Sequence, residues 1–490
     1  MHIPRIAYCS PVNPAPSGIS DYSEELLPYL GQYAEITLFV EDGLKPTNPH
    51  VAAHLEVLPL RRLPRELRRR RYDGLVYHMG NSPAHAGIWR AAQRMPGVVV
   101  LHDLVLHHFM LWYAANVQHD VQIYVRDMAE RYGEPGAHMA QMMIRSRFTD
   151  AAFDFPCCEP VLAAARGLIA HSRYVAERAA IIRPDLPSAV VPMGVPLPDP
   201  LAREVARARL GLPADAAILA SFGHINAWKR LEPALRAMRH LRDAGHDARY
   251  ILVGSVSPNY DLVGLIGRMG LTESVTITGY VPREQFEDYV AAADICLNLR
   301  YPTGGETSAS LLRLLGAGRP TLVSAVGSFA ELPAGVAAQV DTDSSEGELI
   351  LSYCRLLLER PDVAAALGER AKAFVAAEHS LNTAALGYAR FLARLYGWPV
   401  LRKVHEEPLW EAGGRGRGAG GGGRGAGGRR QEAGGRRQEA GDGGQEAGAE
   451  DRPPSPLIMA AGRAITEIGL GEGDAGLLQT VAERIAEMRN

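Results

Sequence analysis

Short apolar runs alternate with amphipathic stretches along this chain, and the whole pattern occurs twice. The first set of runs is Ile6–Cys9, Ile36–Val40, Gly74–His78, Val98–His102 and Gly167–His171. Between them lie helix-patterned segments such as Tyr22–Leu30 and His85–Arg94. Such alternation predicts a parallel sheet covered by helices on both faces. A proline-rich stretch, VVPMGVPLPDP (190–200), then interrupts it and reads as a hinge. The alternation restarts with Ala217–Gly223, Tyr250–Gly254, Val275–Thr278, Ile295–Leu299 and Thr321–Ser324. The expected fold is α/β, with two Rossmann-like doubly wound domains over residues 1–192 and 193–400. Helical patterns between about 361 and 397 close the globular part, and the last helix is free to return to the first domain.

Composition narrows the function. A net charge of −3 over 490 residues gives no global field that calls for nucleic acid. The five cysteines (9, 157, 158, 296 and 354) show no metal-like spacing and fit a reducing cytoplasm, with Cys157 and Cys158 as ordinary buried thiols. The N-terminus lacks the long apolar core of a signal peptide. No stretch approaches the ~20 apolar residues of a spanning helix. From about 411 to 455 Gly, Arg, Gln, Glu and Ala dominate, and GGRRQEA occurs twice in tandem. That composition predicts a disordered tether, and the periodicity of 456–490 predicts a helical hairpin beyond it.

Two segments of the second domain carry chemistry. GHINAWKR (223–230) places Lys229 and Arg230 just past a strand's carboxyl end, where open α/β sheets bind ligands. In NLRYPTGGETSASLLRLLGAGRP (298–320) a strand runs through Gly304 and Gly305 into Glu306, Thr307 and Ser308, and then into a helix. The glycines permit close backbone approach. Thr307 or Ser308 can cap the helix, leaving its first N–H groups aimed at an anion. Each segment alone also fits a solvated Lys–Arg pair or a well-capped helix.

Together these segments resemble the retaining glycosyltransferases of the GT-B fold, family 4 group. The similarity extends over about residues 4–395. TGYVP (278–282) is similar to the family loop that meets the nucleobase, here Tyr280 and Val281. VVPMGVP resembles the interdomain junction, and GLIAHSRYVAE (167–177) the last strand and helix of the first domain. SPVNPAPSGISDYSEEL (10–26) resembles the first glycine-containing loop, and VVVLHD (98–103) a His-Asp strand end.

The resemblance implies transfer of a sugar from a nucleotide-diphosphate donor to an acceptor with retention of anomeric configuration, without metal or cofactor. It implies that Lys229 binds the diphosphate and that Glu306 and His102 lie by the sugar. Gly18, Gly305 and the N–H groups of Thr307 and Ser308 would approach the phosphates. Two positions depart from the pattern: Arg313 replaces the second family glutamate, and His224 an early arginine for which Arg230 can substitute. Both leave the nucleotide open. A non-catalytic partner subunit of the same fold, or a nucleotide-sugar epimerase, would carry similar motifs.

Three further signals have plainer readings. Asp341-Thr342-Asp343 has the form of a metal-binding Asp-x-Asp but reads as an exposed turn. His102, Asp103, His107 and His108 match no zinc spacing, and Asp103 is placed to orient His102. RRLPRELRRRR (61–71) carries seven arginines and reads as a solvated helix whose surface could rest on anionic lipid.

Overall fold

The computed structural model describes residues 3–147, 149–197, 201–398 and 401–411. The linker and hairpin expected beyond residue 411 lie outside the described residues. The first domain is built on a seven-stranded parallel sheet. Its strands are β1 (Arg5–Cys9), β2 (Glu35–Val40), β3 (Glu56–Pro59), β4 (Gly74–Met79), β5 (Val98–Leu101), β6 (Gly167–Ala170) and β7 (Ser188–Val190). They lie in the order β3-β2-β1-β4-β5-β6-β7. The second domain has a six-stranded sheet of β8 (Ala217–Phe222), β9 (Ala248–Val253), β10 (Val275–Gly279), β11 (Ile295–Asn298), β12 (Thr321–Ser324) and β13 (Ala338–Val340). Their order is β10-β9-β8-β11-β12-β13. Central strands such as β5 and β11 are buried along their whole length because helices cover both faces, which is why they read as unbroken apolar runs.

Two strands, β3 and β7, gave no such signal, and β13 was legible only as a strand just ahead of Asp341. β3 and β7 are the two edges of the first sheet, and β13 is an edge of the second. An edge strand needs less apolar sequence, and β7 is largely exposed. Also unanticipated is the long excursion between β5 and β6, which holds the helices His107–Asn116 and Val121–Ile144. The second of these is broken at Gly133, whose φ of 65° no regular helix contains, with Pro135 just after it.

The chain crosses between domains twice. The first crossing is the proline-rich hinge, where Val195 N donates to His379 O (2.9 Å) and His379 Nδ1 meets Met193 O (2.8 Å). The second follows immediately beside it, and the helix Leu381–Tyr396 then packs on the first domain. Its Tyr388 is fully buried and bonds Tyr22 Oη at 3.1 Å. Trp398 Nε1 donates to Asp73 O (2.7 Å), and Trp410 is buried against the same domain. No helix among the described residues is long and apolar enough to cross a membrane.

In each sheet the strand order reverses direction once, between β1 and β4 and between β8 and β11. Clefts at the carboxyl ends of such strands are where open α/β sheets hold ligands. The loops leaving these strands form the site.

Candidate active site

Lys229 follows β8 on a short 3₁₀ turn capped by Asn226. It is half-buried, and its Nζ donates to Phe222 O at 3.1 Å. Burial first, and then the like charge of Arg300, pull its pKa down to about 7. A lysine held so far below its ordinary value is poised to gain from a nearby anion.

The loop after β11 supplies the opposing groups. Glu306 pairs with Arg300 and accepts a hydrogen bond from Thr303 Oγ1 (3.0 Å). Burial pushes its carboxyl upward, but the charge and hydrogen bond of Arg300, with Thr303, outweigh it and hold the carboxyl below its ordinary value. Arg300 also stacks over Phe329 at 4.7 Å. The sequence reading missed Arg300. A cation six residues before Glu306, at the end of an apolar strand, was the available signal. Of the two cap candidates, Ser308 takes the role. Its Oγ accepts from Leu311 N at 3.2 Å and closes the N-terminus of the helix Ala309–Gly316.

Gly305 has φ of +81°, and a Cβ there would lie 2.7 Å from Leu104 Cβ of the first domain. Val105 N donates to Gly304 O at 3.0 Å. The close approach at Gly305 is thus to side chains of the other domain, and the Gly304 carbonyl bonds its backbone. The same contact brings the loop after β5 against the loop after β11.

His102, on that β5 loop, is buried, and its Nε2 lies 2.9 Å from His78 Nδ1. His171, just past β6, packs against it with ring centroids 4.9 Å apart. Burial, then His171 and His78, hold the His102 pKa well below its ordinary value, so the ring is neutral near pH 7. Neither His78 nor His171 was singled out in the sequence, because a strand-end histidine has no pattern of its own. Asp103 does not orient His102. Its Oδ2 accepts from Asn81 N (2.8 Å), and burial, then the Glu306 carboxylate, lift its carboxyl to about 7. That electrostatic coupling joins Asp103 of the first domain to Glu306 of the second.

The other candidates divide. Gly18 starts the helix Gly18–Leu30 behind its Ser17 cap, and a Cβ added there would enter open space, so its helix N-terminus faces a free volume. Tyr280 is 85% exposed, with Val281 half-buried beside it. Arg230 has a different task from the expected one. It adopts φ of 52° and its guanidinium holds the buried Glu346, with Nε 2.9 Å from Oε1. Arg313 crosses the interface instead: its Nη2 lies 2.5 Å from Glu25 Oε1, which also accepts from Arg283 (2.7 Å).

The Asp-x-Asp segment is a turn, with the Asp343 carboxylate accepting from Ser345 N at 2.8 Å. His107 is occupied by Ala152 O (2.8 Å) and Tyr124, away from any shared ligand position with His102. Along 61–71, Arg61, Arg69, Arg70 and Arg71 pair with acids, while Arg62, Arg65 and Arg68 are exposed with no carboxylate in ion-pair reach among the described residues.

Two parallel α/β domains with cation, helix N-terminus and histidines facing one cleft define the GT-B class of architecture. The same overall fold is found in sucrose-phosphate synthase from Thermosynechococcus elongatus (TM-score 0.59, 18% identity, 80% of this chain and 99% of that one). It is found again in HepE of Anabaena, solved in complex with UDP and glucose (TM-score 0.58, 15% identity, 80% and 100%). Residues 202–374 match the family described as glycosyl transferases group 1. Among curated relatives, D-inositol 3-phosphate glycosyltransferase of Streptomyces coelicolor is 31% identical over 188 residues, 35% of this chain and 39% of that protein. The 2-deoxystreptamine glucosyltransferase of Streptomyces kanamyceticus is 28% identical over 126 residues, 25% and 32%. The chain thus matches only about a third of the length of these two relatives.

Proposed function

We propose that this protein transfers a sugar from a nucleoside-diphosphate donor to a hydroxyl-bearing acceptor, with retention of anomeric configuration. The observation that carries the reading is the convergence of Lys229, Arg300 and the N-terminus of the helix Ala309–Gly316 at the carboxyl edge of the second sheet. The departing diphosphate gains charge in the transition state, and preorganised cations and N–H donors stabilise that charge. Two cations and a helix N-terminus supply this without a divalent ion or cofactor. Glu306, held ionised by Arg300, stands where a carboxylate can accept hydrogen bonds from sugar hydroxyls and offset positive charge at the anomeric carbon. Neutral His102 contributes a hydrogen bond rather than a charge. Tyr280 and Val281 offer a surface for the base. The likeness to a D-inositol 3-phosphate glycosyltransferase and a 2-deoxystreptamine glucosyltransferase favours a small polyol as acceptor. The three unpaired arginines at 62, 65 and 68 would allow peripheral contact with an anionic membrane from the cytoplasmic side.

The test is a thermal-shift screen with UDP, GDP and ADP, followed by donor hydrolysis without acceptor. A bound nucleotide raises apparent stability by mass action. Hydrolysis yielding the original sugar supports transfer, and a second sugar would point to epimerisation. Nucleotide binding with no hydrolysis under any condition would favour a non-catalytic partner subunit. Proton NMR of the transfer product reads its anomeric configuration directly.

A further inference from the structure

A pocket of about 480 Å³ lies between the domains, beside the hinge, and adjoins the helix N-terminus assigned to the diphosphate through Thr307 and Ser308. Its lining includes His171 from the first domain and Thr307 from the second. Each carries a side-chain polar atom that is shut off from solvent and has no hydrogen-bond partner among the described residues: His171 Nε2 and Thr307 Oγ1.

The chemistry of His171 is fixed by its other nitrogen. Nδ1 lies 2.9 Å from the carbonyl oxygen of Val191, which can only accept. Nδ1 therefore holds the ring proton, and Nε2 presents a lone pair. The residue is only 6% exposed. Burial first pulls its pKa to about 4, so the lone pair persists at neutral pH. Thr307 is left out of the helix cap because Ser308 makes the bond to Leu311 N. An apolar residue at either place would avoid leaving a buried polar atom unpaired.

The charged lining is Arg173, Glu331 and Glu378, and the Arg173 guanidinium lies 3.8 Å from the Glu331 carboxylate, which leaves Glu378 as the surplus charge. Glu331 and Glu378 contribute carboxylates, and the Glu331 carboxylate is already taken by the N–H groups of Arg173 and Tyr174. The lone pair of His171 and the surplus carboxylate disfavour an anion and match a group rich in O–H or N–H donors, to which the Thr307 hydroxyl can also bond.

We infer that His171 and Thr307 form a hydroxyl-recognition subsite that closes from opposite domains on a polyol group of the substrate. His171 Nε2 accepts the substrate's O–H, and Thr307 Oγ1 bonds the same or an adjacent oxygen. Both atoms are covered in this closed arrangement, so the substrate enters before the domains meet. The inference rests on the glycosyl-transfer reading and narrows it to the residues that read the polyol, which is either the donor's sugar or the acceptor.

Thr307→Val is the decisive variant, because it removes a hydroxyl that bonds nothing and keeps the backbone N–H. Its melting temperature should match or exceed that of the wild type. His171→Phe is the companion variant, with circular dichroism to confirm its fold. Calorimetry compares UDP, GDP and ADP with UDP-glucose, GDP-mannose and ADP-glucose on all three proteins. Saturation-transfer NMR compares glucose, myo-inositol and 2-deoxystreptamine in the presence of the nucleotide that binds. Loss of roughly 3- to 10-fold in nucleotide-sugar affinity, with nucleoside diphosphate affinity unchanged, assigns the subsite to the donor sugar. The same loss confined to the free polyols assigns it to the acceptor. If Thr307→Val moves neither, the subsite is refuted while the glycosyl-transfer reading stands. A wild type that binds none of the six nucleotides overturns that reading and the subsite together.

Discussion

Replacing Lys229 by Gln should abolish a pH dependence of nucleotide binding that the wild type owes to this one side chain. With a pKa of about 7 in the ligand-free protein, Lys229 is about half protonated at pH 7 and about one part in a hundred at pH 9. Only the protonated form attracts a diphosphate, and the bound anion lifts the pKa back toward its ordinary ~10.4. Binding at pH 7 therefore takes up about half a proton, and affinity falls roughly 50-fold between pH 7 and pH 9. Below about pH 6 this contribution is flat. The assay is calorimetry with the diphosphate that binds best, in two buffers of different ionisation enthalpy, on wild type and Lys229→Gln. The difference between the two proteins removes the nucleotide's own titration. The same linkage has a sign for stability. Between pH 7 and ~10.4 the unfolded chain holds more protons on this residue than the folded one, so the Lys229 contribution makes the ligand-free protein more stable as pH rises through that window. Lys229→Gln should flatten that slope as well. Equal proton uptake in wild type and variant, with parallel affinity profiles from pH 7 to 9, would refute the placement of Lys229 beside the diphosphate.

Glu306→Gln should keep nucleoside diphosphate affinity within a few-fold and lower transfer by roughly 10- to 1000-fold, as for an interaction strongest in the transition state; lost affinity with turnover intact at saturation would make it a binding residue only. EDTA should leave activity nearly intact, since the charge is met by Lys229, Arg300 and a helix N-terminus, and strict Mn²⁺ dependence in a metal titration would return attention to Asp341 and Asp343. Deleting residues 413–490 should leave the melting transition of the two domains within a few degrees, because Trp398 and Trp410 already close the first core; aggregation of the shortened chain would show that the removed segment covers apolar surface.

The legible part of this chain was the part buried on both faces. Central strands such as β5 and β11 are buried along their whole length and almost wholly apolar, so their positions show in the sequence. β3 and β7 lie at the edges of the first sheet, where less burial is required, and they left no trace. The site follows the same division. Lys229 and Glu306 were legible as candidates because they sit just past such strands, at a distance along the chain that the sheet dictates. Arg300 lay within reach of Glu306 along the chain and was overlooked, whereas His78 and His171 pack against His102 from neighbouring strands, which no spacing records. Arg230 was misread for the same reason. Its partner Glu346 lies more than a hundred residues away, and only the packed helices show that the guanidinium is already held. The Arg313–Glu25 pair likewise joins two domains, and a replaced glutamate in the sequence could not reveal its new partner.

The return of the helix Leu381–Tyr396 to the first domain bears on how the protein is made. During synthesis the first sheet leaves the ribosome complete by about residue 190, yet the surface that Tyr388, Phe391 and Leu392 will cover stays bare for some two hundred residues more. The second sheet, with all of its strands in one continuous stretch, can finish while the first still waits. A nascent chain that has emerged only as far as residue 380 would thus carry a finished second sheet and a first domain with an exposed apolar face, the form most in need of a chaperone.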